Sequence, residues 1–472
     1  MSGVDLGHVA DAAMRAVLRR QGSRCPWYLL AMGQPVRSIL RALCFILAVG
    51  CDFPRPADVI GMDANQGGID APVDSADGSR SGVDASDAAS IDALPALVCT
   101  PDQALRCDGN TLVRCNSDGS AELRESCTLG CNVVGVRCND VDPSNGLASY
   151  LDMAASEPDF DFGATAIVNT DDCTVVVDGH PVAVKHATVA QSLAPNICVF
   201  IVRSLITRDV KITGTSALAI VSHRDVKIGG LMSASAVVGQ RGAGAFNDAT
   251  CRGGDAGNTG NGVISGAGGG GFGQPGGRGG MASNTGAASP GGAGGGATGN
   301  AMLVPLRGGC DGGSLGGLFG AGGGALQLIS RTNITVSGII AANGSAGAGG
   351  GSGGGILLEA PVLDVSGAIV ANGAGGAAGC ILSTQGLGED GRLDGMRAAG
   401  GQSCSVITGA GGAGGASSVG TGGIGESIDV GAALAGYGGG GVGRIRINTT
   451  SGGLHATGVL SPVPSTATIA IR

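Results

Sequence analysis

The chain has 472 residues, of which 94 are glycine; aromatic side chains make up 3% and the formal net charge is −9. Beyond residue 50 the imbalance grows to 22 basic against 35 acidic side chains, which excludes a nucleic-acid partner because phosphates need a basic face. Scarce rings also argue against a ligand pocket built on aromatic stacking.

Arg37 and Arg41 precede the apolar run Ala42-Leu43-Cys44-Phe45-Ile46-Leu47-Ala48-Val49-Gly50, which ends at Cys51. A basic start, a short apolar segment and small residues before a break read as an export signal. The run is shorter than the roughly 20 apolar residues that a membrane-spanning helix needs. A cysteine directly after the small residues resembles the lipobox of bacterial lipoproteins, which implies that Cys51 is acylated and becomes the mature N-terminus. Ala48 stands where that family usually has leucine, and Ala48-Val49-Gly50 equally suits ordinary cleavage, so a secreted, unlipidated form is the alternative. Met32 is the expected start, and residues 1–50 are leader and signal.

Residues 51–98 repeat Asp-Ala at Asp63, Asp70, Asp84, Asp87 and Asp92, with no apolar periodicity and a one-sided, acidic charge. Such a segment cannot bury enough surface to fold and reads as an extended tether. Cys99, Cys107, Cys115, Cys127, Cys131 and Cys138 then mark a small disulfide module over residues 99–140, their pairing left open among fifteen connectivities. Short strands are expected at Thr111–Arg114 and Asn132–Val136, with turns at Asp108-Gly109-Asn110 and Ser117-Asp118-Gly119. Zinc at Cys127 and Cys131 is the minor reading, because an oxidising compartment favours disulfides. Residues 141–162 form a connector.

Residues 163–472 change character. Arg208-Asp209-Val210-Lys211-Ile212 returns at Arg224-Asp225-Val226-Lys227-Ile228. Leu218–Ser222 aligns with Leu326–Ser330, and Val226–Gly230 with Ile334–Gly338. Val336-Ser337-Gly338 recurs as Val365-Ser366-Gly367, and Ala342-Asn343-Gly344 as Ala371-Asn372-Gly373. Arg444–Ile447 and Ala456–Val459 read as a degenerate last copy. Short β-branched repeats with glycine or asparagine corners imply stacked strands, a mainly β fold of the right-handed parallel β-helix type. Six further cysteines suggest the sequential pairs Cys173–Cys198, Cys251–Cys310 and Cys380–Cys404.

Glycine tracts lie at about 239–325, 344–355 and 373–443. Glycine loses more backbone entropy on ordering than any other residue, so floppy loops are one reading. The bracketing cysteines and a period of three, as in Gly409-Ala410-Gly411-Gly412-Ala413-Gly414-Gly415, favour the other: polyglycine-II-like extended helices bonded laterally. These residues resemble glycine-rich β-helical surface lipoproteins of myxobacterial type, and the composition is similar to PE-PGRS glycine tracts without the PE domain.

Motif matches in such a chain carry little chemistry. Gly312-Gly313-Ser314-Leu315-Gly316 and Gly350-Gly351-Ser352-Gly353-Gly354 fit a nucleophile elbow, but His455 is the single histidine downstream and no helical pattern follows. Asp209 and Asp225 read as a structural ladder, stacking with arginine along one face, ahead of an acid–base pair. His180 and His186, near Asp178, read as surface histidines ahead of a metal site. No catalytic residue, metal or cofactor is expected. The expectation is an exported, lipid-anchored protein of the outer membrane or cell surface with a structural or adhesive role. Its partners are the membrane, through Cys51, and an extracellular polymer or another cell surface. A polysaccharide-degrading β-helix enzyme and an ice-binding protein are the alternatives.

Overall fold

A computed structural model describes residues 98–472 apart from 260, 261, 382, 384, 431 and 432. The chain divides into two units, Met1–Leu94 and Pro95–Arg472. The readings that fall on the first unit, the leader, Cys51 and most of the tether, lie outside the described residues.

Residues 99–138 form an antiparallel sheet of β1 (Ala104–Asp108), β2 (Thr111–Cys115) and β3 (Glu122–Ser126), with a ribbon of β4 (Cys131–Asn132) and β5 (Arg137–Cys138). Its buried apolar side chains are few, Leu112 and Val113 beside the half-cystines Cys115 and Cys127. Disulfides Cys99–Cys115, Cys107–Cys131 and Cys127–Cys138 substitute for a core. The strand expected over Asn132–Val136 is instead a turn after Asn132. The Asn132 side chain accepts from the N–H groups of Val134 and Gly135, and this local bond competes with extended pairing.

The connector carries a short helix, α1 (Ala148–Met153), and β6 (Asp159–Asp161); after it come β7 (Thr165–Asn169), β8 (Thr174–Val177), β9 (His180–Val182) and β10 (Lys185–Val189). Five strand triplets follow. They are β11 (Ile197–Val202), β12 (Ser204–Thr207) and β13 (Asp209–Thr213); then β14 (Ala217–Ser222), β15 (Val226–Ile228) and β16 (Leu231–Ser233). After a hairpin, β17 (Ala282–Asn284) and β18 (Ala287–Ser289), come β19 (Ala325–Ser330), β20 (Asn333–Val336) and β21 (Ile339–Ala341). The fourth triplet is β22 (Gly355–Glu359), β23 (Val362–Val365) and β24 (Ala368–Val370); the fifth is β25 (Arg444–Thr449), β26 (Leu454–Ala456) and β27 (Val459–Ser461), followed by β28 (Ser465–Thr468).

First members of the triplets pair in parallel with first members, second with second and third with third, giving three sheets that are parallel across the triplets, with β10 added antiparallel to the first and β8 and β9 to the third. The fold is mainly β. The sequence alignment of Leu218–Ser222 with Leu326–Ser330 is the observed register, as is that of Val226–Ile228 with Ile334–Val336. The two Arg-Asp-Val-Lys-Ile copies do not stack. Val210 lies opposite Met232 in the third sheet, whereas Val226 lies opposite Leu205 in the second. The alternation Val-x-Ile buries two side chains in either sheet, so the pentapeptide specifies a strand without specifying which one.

Inward residues such as Phe200, Ile220, Leu328 and Leu358 of the first sheet meet Leu205, Val226, Ile334 and Ile369 of the others in one core. Each such Leu or Ile contributes about 1.5–3 kcal/mol by burial. The central strands of the first sheet, β11, β14, β19 and β22, are buried on both faces, since Ile197, Val199 and Ile201 point outward beneath Leu147 and Leu151 of the connector and Phe272 and Leu306 of the first glycine tract. That explains its unbroken apolar runs. Disulfide Cys173–Cys198 ties the turn before β8 to β11.

All three glycine tracts leave a third-sheet strand (β16, β21 or β24) and re-enter a first-sheet strand (β19, β22 or β25). Those strands are neighbours within their sheets, so the tracts emerge from one corner and lie side by side. Their backbone groups pair with one another. Along 266–271, Gly266 and Gly269 donate to Gly280 and Gly277, Gly268 and Gly271 donate to Gly254 and Cys251, and Gly270 donates to Gly350, all at 2.8–2.9 Å. Successive residues address different neighbours and the direction returns every third residue. A Cβ on Gly266 would lie 1.8 Å from the Gly436 carbonyl oxygen, so closeness of the chains itself demands glycine there. Cys251–Cys310 and Cys380–Cys404 close loops within the tracts. Asn343 and Asn372, at stacked corners, donate to the carbonyls of residues 391, 392 and 394 and hold that loop against the third sheet.

Candidate functional site

The corner between the first and second sheets stacks Ser222 on Ser330, whose hydroxyls both donate to the Arg224 carbonyl. The next residues, His223 and Arg331, therefore lie one above the other. The connector and the C-terminus meet them, because Val141 bridges Ile471 and so brings Asp140, Asp152 and Arg472 to the same corner. Arg331 contacts Asp140 at 2.6 Å and Asp152 at 2.8 Å. Arg472 contacts the same two carboxylates at 3.0 and 2.5 Å. Arg331 Nη1 donates to His223 Nδ1 at 3.0 Å, which leaves the ring proton on Nε2. A cavity of about 450 Å³ separates this cluster from Thr128, Leu129 and Arg137 of the cysteine-rich segment.

Burial holds the His223 pKa below the usual imidazole value, and the Arg331 charge adds to the effect. Hydrogen bonding from Arg472 lowers the Asp152 carboxyl below the usual carboxylate range. Both carboxylates are engaged twice by guanidinium groups, and the imidazole is neutral. Chemically, the cluster is a clasp joining connector, stack corner and C-terminus.

The sequence-singled residues are dispersed. Asp209 Oδ1 accepts from the Leu231 N–H, while Asp225 accepts from the Thr332 hydroxyl, so the expected Asp–Arg ladder does not form. Arg203 instead grips Asp159, on the second sheet, through two nitrogens at 2.9 and 2.6 Å. Arg203 holds the Asp159 carboxyl well below its usual range. Ser314 donates to Asp255, and Ser352 is fully buried, its hydroxyl accepting from the Cys310 N–H. Neither serine sits beside a histidine. His455 pairs with Asp364 at 2.8 Å on the exposed face of the second sheet. Asp178 caps the turn into β7 by accepting from Ala164 and Thr165, and His186 contacts the Val184 carbonyl. Among the described residues no group of three metal-ligating side chains converges. No helix of the described residues is long and apolar enough to cross a membrane.

The clasp is not legible in the sequence. Asp140 and Arg472 are 332 positions apart, and no local pattern marks either. Comparison with protein families, with curated proteins and with solved structures finds no match to this chain.

Proposed function

We propose that this chain is an exported cell-envelope lipoprotein, anchored through Cys51, with a structural or adhesive role and no catalysis. The five triplets are read as turns of a right-handed parallel β-helix, and the glycine tracts as a polyglycine-II-like bundle fused to one of its corners. In this it resembles glycine-rich surface lipoproteins. Six disulfides are compatible with a secreted or surface protein. The observation that carries the non-catalytic reading is the clasp, in which the convergent acidic groups are consumed by Arg331 and Arg472. An acid–base pair needs a carboxyl or imidazole free to exchange its proton with a substrate. The braced stack instead offers a stiff, repetitive surface for contact with a polymer or another cell.

Protease shaving of intact cells expressing the chain from Met32, beside a Cys51→Ala variant, tests this reading. The expected result is that native protein is clipped from the surface while the variant escapes to the medium. Protection of the native protein until the envelope is opened would place it in the periplasm and remove the adhesive role.

A further inference from the structure

At the last triplet a groove of about 550 Å³ opens between the turn at 417–421, the start of β25 and the segment after β27. This lies within the roughly 300–1,000 Å³ range of small-molecule sites. Arg444 forms part of its wall. The guanidinium is fixed from behind: Nε and Nη2 donate to the Thr298 carbonyl at 3.2 and 3.0 Å, and the group lies 5.6 Å from the Phe272 ring centroid. Arg307 also stacks on Phe272, and it takes Asp248 as its own partner at 3.3 Å. Arg444 has no carboxylate at ion-pair distance among the described residues, and burial together with Arg307 lowers its pKa.

The groove also holds unspent polar capacity. The side chains of Ser418, Thr421 and Gln274 line it and make no hydrogen bond among the described residues. Pro462 and Val463 supply an apolar wall, with Val463 74% exposed. A cation held by carbonyls and lacking a counter-ion, beside three free hydroxyl or amide groups, is complementary to an anion attached to a hydroxyl-rich body. No aromatic ring lines the groove, so a neutral sugar would have nothing to stack on.

We propose that this groove binds a carboxylated saccharide, with its carboxylate on Arg444 Nη1 and its ring hydroxyls on Ser418, Thr421 and Gln274. The inference goes beyond the envelope role and does not depend on it, because the groove belongs to the folded chain wherever the chain resides.

The test is isothermal titration of the full chain at low salt with a galacturonic acid trimer, its neutral methyl ester and inorganic phosphate. The expected result is binding of the trimer, with the ester at least about tenfold weaker and phosphate weaker than the trimer. Arg444→Gln should weaken the trimer by about tenfold or more, and Arg444→Lys by less, because charge persists without the planar fork. Ser418→Trp fills the groove from an exposed position, leaving Arg444 in place, and should abolish binding even if Arg444→Gln unfolds the chain. Equal binding of trimer and ester, unchanged binding in Ser418→Trp, or phosphate binding tighter than the trimer would each overturn the proposal. Failure here with successful surface shaving leaves the envelope reading standing and removes only this site.

Discussion

Glu359 carries a carboxylate into the buried interior beside the first sheet. It ends the apolar strand β22, yet it is 1% exposed. Its carboxylate accepts from the Ser144 N–H and hydroxyl, from Gln327 Nε2 and from Asn448 Nδ2. These partners stand 215, 32 and 89 positions away, so nothing local distinguishes Glu359 from a solvated strand end. Glu359→Ala would leave buried donors unmet and should cost about 2–3 kcal/mol in urea unfolding, with Glu359→Gln costing less. His223 makes a second prediction at this scale. Its pKa is depressed in the fold, so the unfolded chain takes up a proton that the folded chain resists. Stability should therefore be intact above about pH 6.5 and fall as pH drops below it, while His223→Gln flattens that part of the profile. The depressed Asp152 acts lower, its contribution being lost as pH falls below about 4. Thermal melts of both proteins from pH 8 to pH 3 separate the two effects.

At the scale of elements, strands were legible where side chains set the register and illegible where they did not. Leu218–Ser222 and Leu326–Ser330 bury equivalent side chains in one sheet, so aligning their sequences also aligned their strands. The glycine tracts lack that code, because their order rests on backbone bonds and on closeness that only an unsubstituted Cα permits. Gly266→Ala should consequently destabilise by about 2 kcal/mol or more, since the added methyl meets the Gly436 carbonyl. Gly286→Ala, where nothing lies within 4 Å, should change stability by less than about 1 kcal/mol. Urea unfolding of the two variants compares a packed tract with an open hairpin tip. Replacing Cys251 and Cys310 with alanine releases a loop spanning 59 positions and should cost about 4 kcal/mol on the chain-entropy model.

For the whole molecule, the arrangement follows from where the insertions sit. Placing every glycine tract between a third-sheet and a first-sheet strand stacks their roots as the strands stack, so the tracts are delivered to one another already adjacent. The repeats in the sequence announced the sheets, and the threefold glycine runs suggested lateral bonding. The clasp and the Arg444 groove were invisible, because each joins residues from distant parts of the chain. The central claim is that these tracts are an ordered, hydrogen-bonded part of the body. Amide hydrogen exchange by mass spectrometry tests it most directly. Segments 266–271 and 436–441 should exchange about as slowly as the core strand at 356–358 and lose protection with it on heating. Exchange of the tracts at free-chain rates while 356–358 stays protected would contradict the account.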